Sequence, residues 1–139
     1  MTDGAIQTVK FFVPGDPVAA PRMTQRDKWA QRPCVMRYRA WKDACRLIAR
    51  GKIPPVDKII SLNWTATFEP PASWSAKKKE AAFGQPHRSK PDLDNLAKGV
   101  MDAMFVDDQG IARGTFAKLW GKVAGVEIEI VFEVARPNG

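Results

Sequence analysis

Between Ile59 and Phe68 the chain alternates without a break: Ile60, Leu62, Trp64, Ala66 and Phe68 are apolar, and Ser61, Asn63, Thr65 and Thr67 between them are polar. Only a pleated strand sends successive side chains to opposite faces at this period, so the run predicts a half-buried β-strand. Val126 to Val134 repeats the pattern, with Val126, Ile128, Ile130 and Phe132 alternating with Glu127, Glu129 and Val131. Ile6 to Val13 reads as a further strand ended by Pro14-Gly15-Asp16-Pro17, and Gly110 to Trp120 as another, joined to the last through Gly121 to Gly125.

Between the strands the period changes to that of a helix. From Arg37 to Arg50, Tyr38, Trp41, Cys45 and Ile48 fall on one face and Arg39, Lys42, Arg46 and Arg50 on another, with Gly51 as a stop. From Asp94 to Met104, the residues Leu93, Leu96, Ala97, Val100 and Met104 make an apolar face, while Asp94, Lys98 and Asp102 stand four apart on the other side. Asp94 is placed to double as the N-cap. Ser73 is read as the cap of a short helix through Lys77, Lys78, Lys79, Glu80 and Ala81. Val18 to Met36 has no clean period and reads as a long loop, and Gly84 to Pro91 as a polar loop. The order is β-α-β-(α)-α-β-β. A length of 139 residues suits one α+β domain over residues 1–139.

Inventory excludes several chemistries. His87 is the sole histidine, which rules out histidine-rich metal sites and two-histidine acid/base schemes. Cys34 and Cys45 form no CxxC and read as structural thiols. No run approaches the roughly 20 apolar residues of a membrane span, and Met1-Thr2-Asp3-Gly4 lacks a secretory pattern, so a cytoplasmic protein is expected. The net charge of +7 favours a polyanionic partner. From Pro21 to Lys52 there are ten basic residues (Arg22, Arg26, Lys28, Arg32, Arg37, Arg39, Lys42, Arg46, Arg50 and Lys52) against Asp27 and Asp43, a net of +8, and the remainder is close to neutral. Such a segment is either a solvated face or a nucleic-acid surface, and its arginines favour the latter. Trp29 is its candidate for base stacking, since Tyr38 and Trp41 lie at core spacing. Lys77, Lys78 and Lys79 are either a solvated helix turn or a clamp on backbone phosphates.

The acidic residues are concentrated elsewhere, in Lys90-Pro91-Asp92-Leu93-Asp94-Asn95-Leu96 and then Lys98, Asp102 and Asp107-Asp108. Asp92 and Asp94 flank one apolar residue, so in an extended segment both carboxylates leave the same face and can approach one ion. Oxygen ligands alone suit a hard cation such as magnesium. Gathering Asp92, Asp94 and one of the Asp107-Asp108 pair is costly without a cation, because each carboxylate raises the others' pKa. A helix of about 11 residues is roughly 16 Å long, so Asp108 reaches Asp92 only if the following strand turns back, as a hairpin from Gly110 would allow. Lys98 is either the i,i+4 partner of Asp94 or a cation that steadies the reacting phosphate. Asp102 is read as holding Lys98 rather than binding metal.

These residues resemble the RusA family of Holliday junction resolvases, especially its phage-type members. The similarity rests on Pro91 to Leu96, Lys98, Asp102-Ala103-Met104 and Asp107-Asp108, with softer support from Pro71 to Ser75, Pro86-His87, Pro21 to Thr24 and Tyr38 to Lys42. It implies a small α+β subunit, a mixed sheet with helices on one face, that works as a homodimer and uses Mg²⁺, with Mn²⁺ as a substitute, to nick four-way DNA junctions symmetrically. Asp92 and Asp94 match the family's first two metal aspartates, Asp108 its third, and Lys98 its catalytic lysine. Lys118 looks like a supporting basic residue that many members carry. Only Phe105-Val106 separates the helix from the acidic pair, a shorter link than is usual, so either the helix ends earlier or the third aspartate approaches differently. The choice between Asp107 and Asp108 stays open.

The expected function is therefore a Mg²⁺-dependent structure-selective endodeoxyribonuclease of recombination and repair, acting in a bacterial or phage-infected cell on nucleoid DNA. Arg22, Arg26, Lys28, Arg32, Arg39, Lys42, Arg46, Lys77, Lys78, Lys79 and Lys118 are its candidate DNA contacts. The alternatives are a non-catalytic basic DNA-binding module and a nuclease that prefers flaps or other branched DNA.

Overall fold

The computed structural model describes residues 4–21, 32–105 and 110–134 of the chain. Among these, strands β1 (Ala5–Pro14), β2 (Ile59–Phe68), β3 (Gly114–Trp120) and β4 (Gly125–Val134) form one mixed sheet in the order β1-β4-β2-β3. Helices α1 (Pro33–Ala49), α2 (Ala76–Ala82) and α3 (Leu93–Met104) complete an α+β domain. β4 pairs antiparallel with both β1 and β2, and β3 pairs parallel with β2.

The alternation seen in the sequence sets the two faces of the sheet. Phe11, Ile128, Trp64 and Phe116 are partners across four strands and form one inward row. The first three are buried, and Phe116, on the edge strand, stacks on Trp64 at 5.3 Å while remaining 46% exposed. Trp41, Cys45 and Ala49 of α1 and Leu96, Val100, Ala103 and Met104 of α3 join the same core. Each large buried side chain among them, such as Leu96 or Val100, contributes roughly 1.5–3 kcal/mol. The opposite face is wet and polar. There Lys10 approaches Glu129 at 3.7 Å, and the Asn63 side-chain carbonyl accepts from the Thr115 hydroxyl at 2.8 Å.

Several expectations are corrected. α1 starts at Pro33, four residues before Arg37, because proline at a first helical turn has its φ preset and loses no needed donor. Ser75, not Ser73, caps α2, accepting from the Lys78 amide at 3.2 Å. Asp92, not Asp94, is the N-cap residue of α3. β3 begins at Gly114 rather than Gly110. The expected hairpin is absent among the described residues, since β3 and β4 are separated by β2. Residues 121–124 step across the end of β2, two strand spacings or about 10 Å, which four extended residues span.

α1 and α3 are bolted together by polar contacts. The buried Tyr38 hydroxyl donates to Asp102 Oδ2 at 2.9 Å, and Arg46 donates to the Asp102 carbonyl at 3.0 Å. Asp102 thus holds α1, where the sequence suggested that it would hold Lys98. Burial, followed by the Asp102 hydrogen bond and charge, pushes the Tyr38 phenol above its ordinary range. A raised folded pKa gives a contribution that is complete below the unfolded value near 10 and lost as pH rises through the folded one. Tyr38→Phe is therefore expected to cost about 1.5–3 kcal/mol at neutral pH and to flatten the loss of stability above about pH 10. Urea unfolding across pH 7–11 checks both.

Candidate active site

The chain reaches α3 through a segment laid along the free edge of β3. Gly84 N–H donates to the Trp120 carbonyl at 2.8 Å, Trp120 N–H to the Gln85 carbonyl at 2.9 Å, and His87 N–H to the Lys118 carbonyl at 2.9 Å. The His87 ring lies between Phe68 and Trp120, each centroid 4.2 Å away, and Trp74 packs on Trp120 at 5.1 Å. Burial, then the charge of Lys118, lowers the pKa of His87. A neutral ring fits this sandwich, where Nδ1 has no hydrogen-bond partner among the described residues. His87 is thus an aromatic filler. Lys118 completes the brace, its Nζ donating to the carbonyls of Ser89 and Pro91 at 2.8 Å each. It steadies the cis Lys90-Pro91 junction immediately before Asp92.

Asp92 is extended and Asp94 stands in the first turn of α3. The sequence reading placed both in an extended run; here the helix has already begun at Leu93. Asp92 is exposed and its carboxylate makes no side-chain cap bond to α3. Asp94 accepts from the Asn95 amide through Oδ1 at 2.9 Å. The N-terminal end of a helix favours negative charge, which eases the gathering of anions there. Lys98 follows one turn after Asp94 on an exposed position, and no ion pair joins it to Asp94 or Asp102 among the described residues. β3 runs back along α3: Gly114 and Phe116 line a hollow with Ala97 and Met101, whereas Lys118 reaches Pro91. The helix does not end early, because it continues to Met104 and Phe105 caps it. Asp107 and Asp108 lie outside the described residues.

A cleft of about 540 Å³ opens beside Asp92. One wall is the stretch after β1, including Asp16 and Val18; the other is Arg37 of α1; Lys90, Asp92 and Asn95 complete it. Gly99 permits this, since a Cβ there would meet the Val18 carbonyl at 3.2 Å and Tyr38 Cε1 at 3.3 Å. The Ala20 amide bonds the Asn95 carbonyl at 3.1 Å across the same contact.

The family model for endodeoxyribonuclease RusA matches residues 14–131, most of the chain, including Asp92, Asp94 and Lys98. The chain belongs to the RusA endodeoxyribonuclease family. No match was found among curated proteins. RusA membership implies an endonuclease that resolves Holliday junctions, and nucleases of this family are generally metal-dependent.

The donor set fits such a metal in part. Asp92, at the N-cap, and Asp94, in the first turn of α3, offer exposed, hard oxygen ligands. Among the described residues no three carboxylate, histidine or cysteine side chains gather into a ready cage. A third ligand from Asp107 or Asp108 falls outside those residues.

The basic residues divide by what holds them. Lys42 lies over the Tyr38 ring at 4.6 Å and Lys78 over Trp74 at 4.2 Å. Arg46 is tied to Asp102, and Lys118 braces the Ser89 to Pro91 segment. Arg39, Lys77 and Lys79 stand on α1 and α2, and Arg32 precedes α1. Arg22, Arg26, Lys28 and Trp29 lie outside the described residues. Sequence reasoning missed Arg37, Lys90 and Asp16 as cleft residues, because only the packing of the 16–21 stretch against α3 brings them together.

Proposed function

We propose that this RusA-family protein is a Mg²⁺-dependent endodeoxyribonuclease that resolves four-way DNA junctions by paired symmetric nicks. The observation that supports it best is the pair of exposed aspartates at the start of α3, Asp92 free of any capping bond, with Lys98 one turn along and in no ion pair among the described residues. Asp92, Asp94 and one of Asp107 and Asp108 would hold Mg²⁺, or Mn²⁺ in its place. The ion would supply Lewis-acid charge to a phosphodiester and lower the pKa of water. Lys98 offsets negative charge that develops on the phosphate. Lys118 keeps the Ser89 to Pro91 backbone fixed, so that Asp92 is presented in one place.

A two-fold homodimer matches the symmetry of an open junction and lets two sites cut opposed strands. The basic residues from Arg22 to Arg46, with Lys77, Lys78 and Lys79, supply affinity that is independent of sequence. The protein would act in the cytoplasm of a bacterial or phage-infected cell. A panel of four-way junction, flap, fork and plain duplex at equal concentration tests the substrate. Junction cutting at least tenfold faster than the others is expected, and a preference for flaps contradicts the assignment. Junction binding should also fall steeply with salt, on the order of 10³-fold between 50 and 200 mM if about six phosphates are contacted. A flat salt response removes the proposed role of the basic segment.

A further inference from the structure

The cleft beside Asp92 holds two cations that the metal chemistry does not use. Arg37 leaves α1 on the side away from Arg39, and its guanidinium makes no hydrogen bond or ion pair among the described residues, although Asp16 and Asp92 line the same cleft. Lys90 lies in the segment just ahead of Asp92. We propose that Arg37 and Lys90 form a phosphate-binding subsite that seats the DNA backbone phosphate next to the scissile one. This assignment rests on the endonuclease reading for the identity of the scissile phosphate.

Three observations support it. The volume of about 540 Å³ falls within the range of sites that hold small organic ligands, and so has room for one nucleotide unit. Both cations stand on fixed supports. α1 is pinned to α3 through the contacts of Tyr38 and Arg46 with Asp102, and Lys118 clamps the carbonyls on either side of Lys90. The planar guanidinium also presents paired donors that match two phosphate oxygens, a geometry that an ammonium does not reproduce. Asp16 and Asp92 keep the cleft from being uniformly positive. A strand entering it is therefore held at the cationic positions and not by a general field.

The test compares Arg37→Ala, Arg37→Lys and Lys90→Ala with Lys10→Ala on the open sheet face. Binding to a synthetic four-way junction is measured by anisotropy in chelator across a salt series, and thermal unfolding confirms that each variant is folded. Arg37→Ala is expected to bind about tenfold more weakly, the loss of one charge-assisted contact, with the log–log salt slope shallower by about one unit. Arg37→Lys should recover the slope and only part of the affinity, Lys90→Ala should resemble Arg37→Ala, and Lys10→Ala should bind as wild type. Wild-type affinity and slope in folded Arg37→Ala overturn the subsite. Absence of cutting by the wild-type protein in Mg²⁺, with Arg37→Ala still weakened, overturns the nuclease reading and keeps a phosphate site.

Discussion

Asp94→Asn is expected to lower junction cutting by roughly 10³-fold and to leave junction binding within about threefold of wild type. Asparagine preserves the size of the side chain and the oxygen that accepts from the Asn95 amide, so α3 starts as before. What disappears is one anionic ligand. Metal-borne charge stabilisation of a phosphoryl transition state is worth several kcal/mol, and each 1.36 kcal/mol is about tenfold in rate. Single-turnover cleavage with a parallel gel shift measures both quantities. If the aspartates served only the helix dipole, the change would cost under about 1 kcal/mol of stability and leave the rate intact.

The second large effect is at Lys98. Lys98→Met keeps the aliphatic stem and removes the ammonium, and kcat is expected to fall by about 10²–10³-fold, as when one preorganised donor is removed from an active site. KM should change little. The competing role, an i,i+4 partner for Asp94, has no ion pair among the described residues to support it and would forfeit only about 0.2–0.5 kcal/mol of stability. A normal kcat with slightly lowered stability would falsify the catalytic role.

How much of this was legible follows from which interactions are local. β2 occupies Ile59–Phe68, the span its alternation marked, and from Leu62 to Ala66 its apolar residues are buried in register; only at the start does an irregularity between Ile59 and Ser61 leave Ile60 exposed. The apolar stripe of α3 was equally plain, and Leu96, Val100 and Met104 are buried as spaced. The start of α1 was hidden because Pro33 follows a stretch without periodicity and Arg32 provides no side-chain cap bond. The pairing of β3 with β2 was not readable, since a parallel crossover leaves no turn signature and the short 121–124 link imitates a hairpin. Within the candidate site, Asp92, Asp94 and Lys98 stand out by local spacing alone. Lys118 was anticipated as a basic residue of the family, but its bonds to the Ser89 and Pro91 carbonyls depend on sheet pairing that links residues far apart in sequence. The cleft residues Arg37 and Asp16 depend on the same kind of tertiary contact.

The most direct test is a Mg²⁺ titration of the wild-type protein on a synthetic four-way junction, with both strand pairs end-labelled. The expected result is no product in chelator, then paired nicks in opposed strands as Mg²⁺ rises, with Mn²⁺ as a substitute. Junction binding without product under either ion, or cutting that persists in chelator, contradicts the assignment of Asp92 and Asp94 as ligands of a catalytic metal.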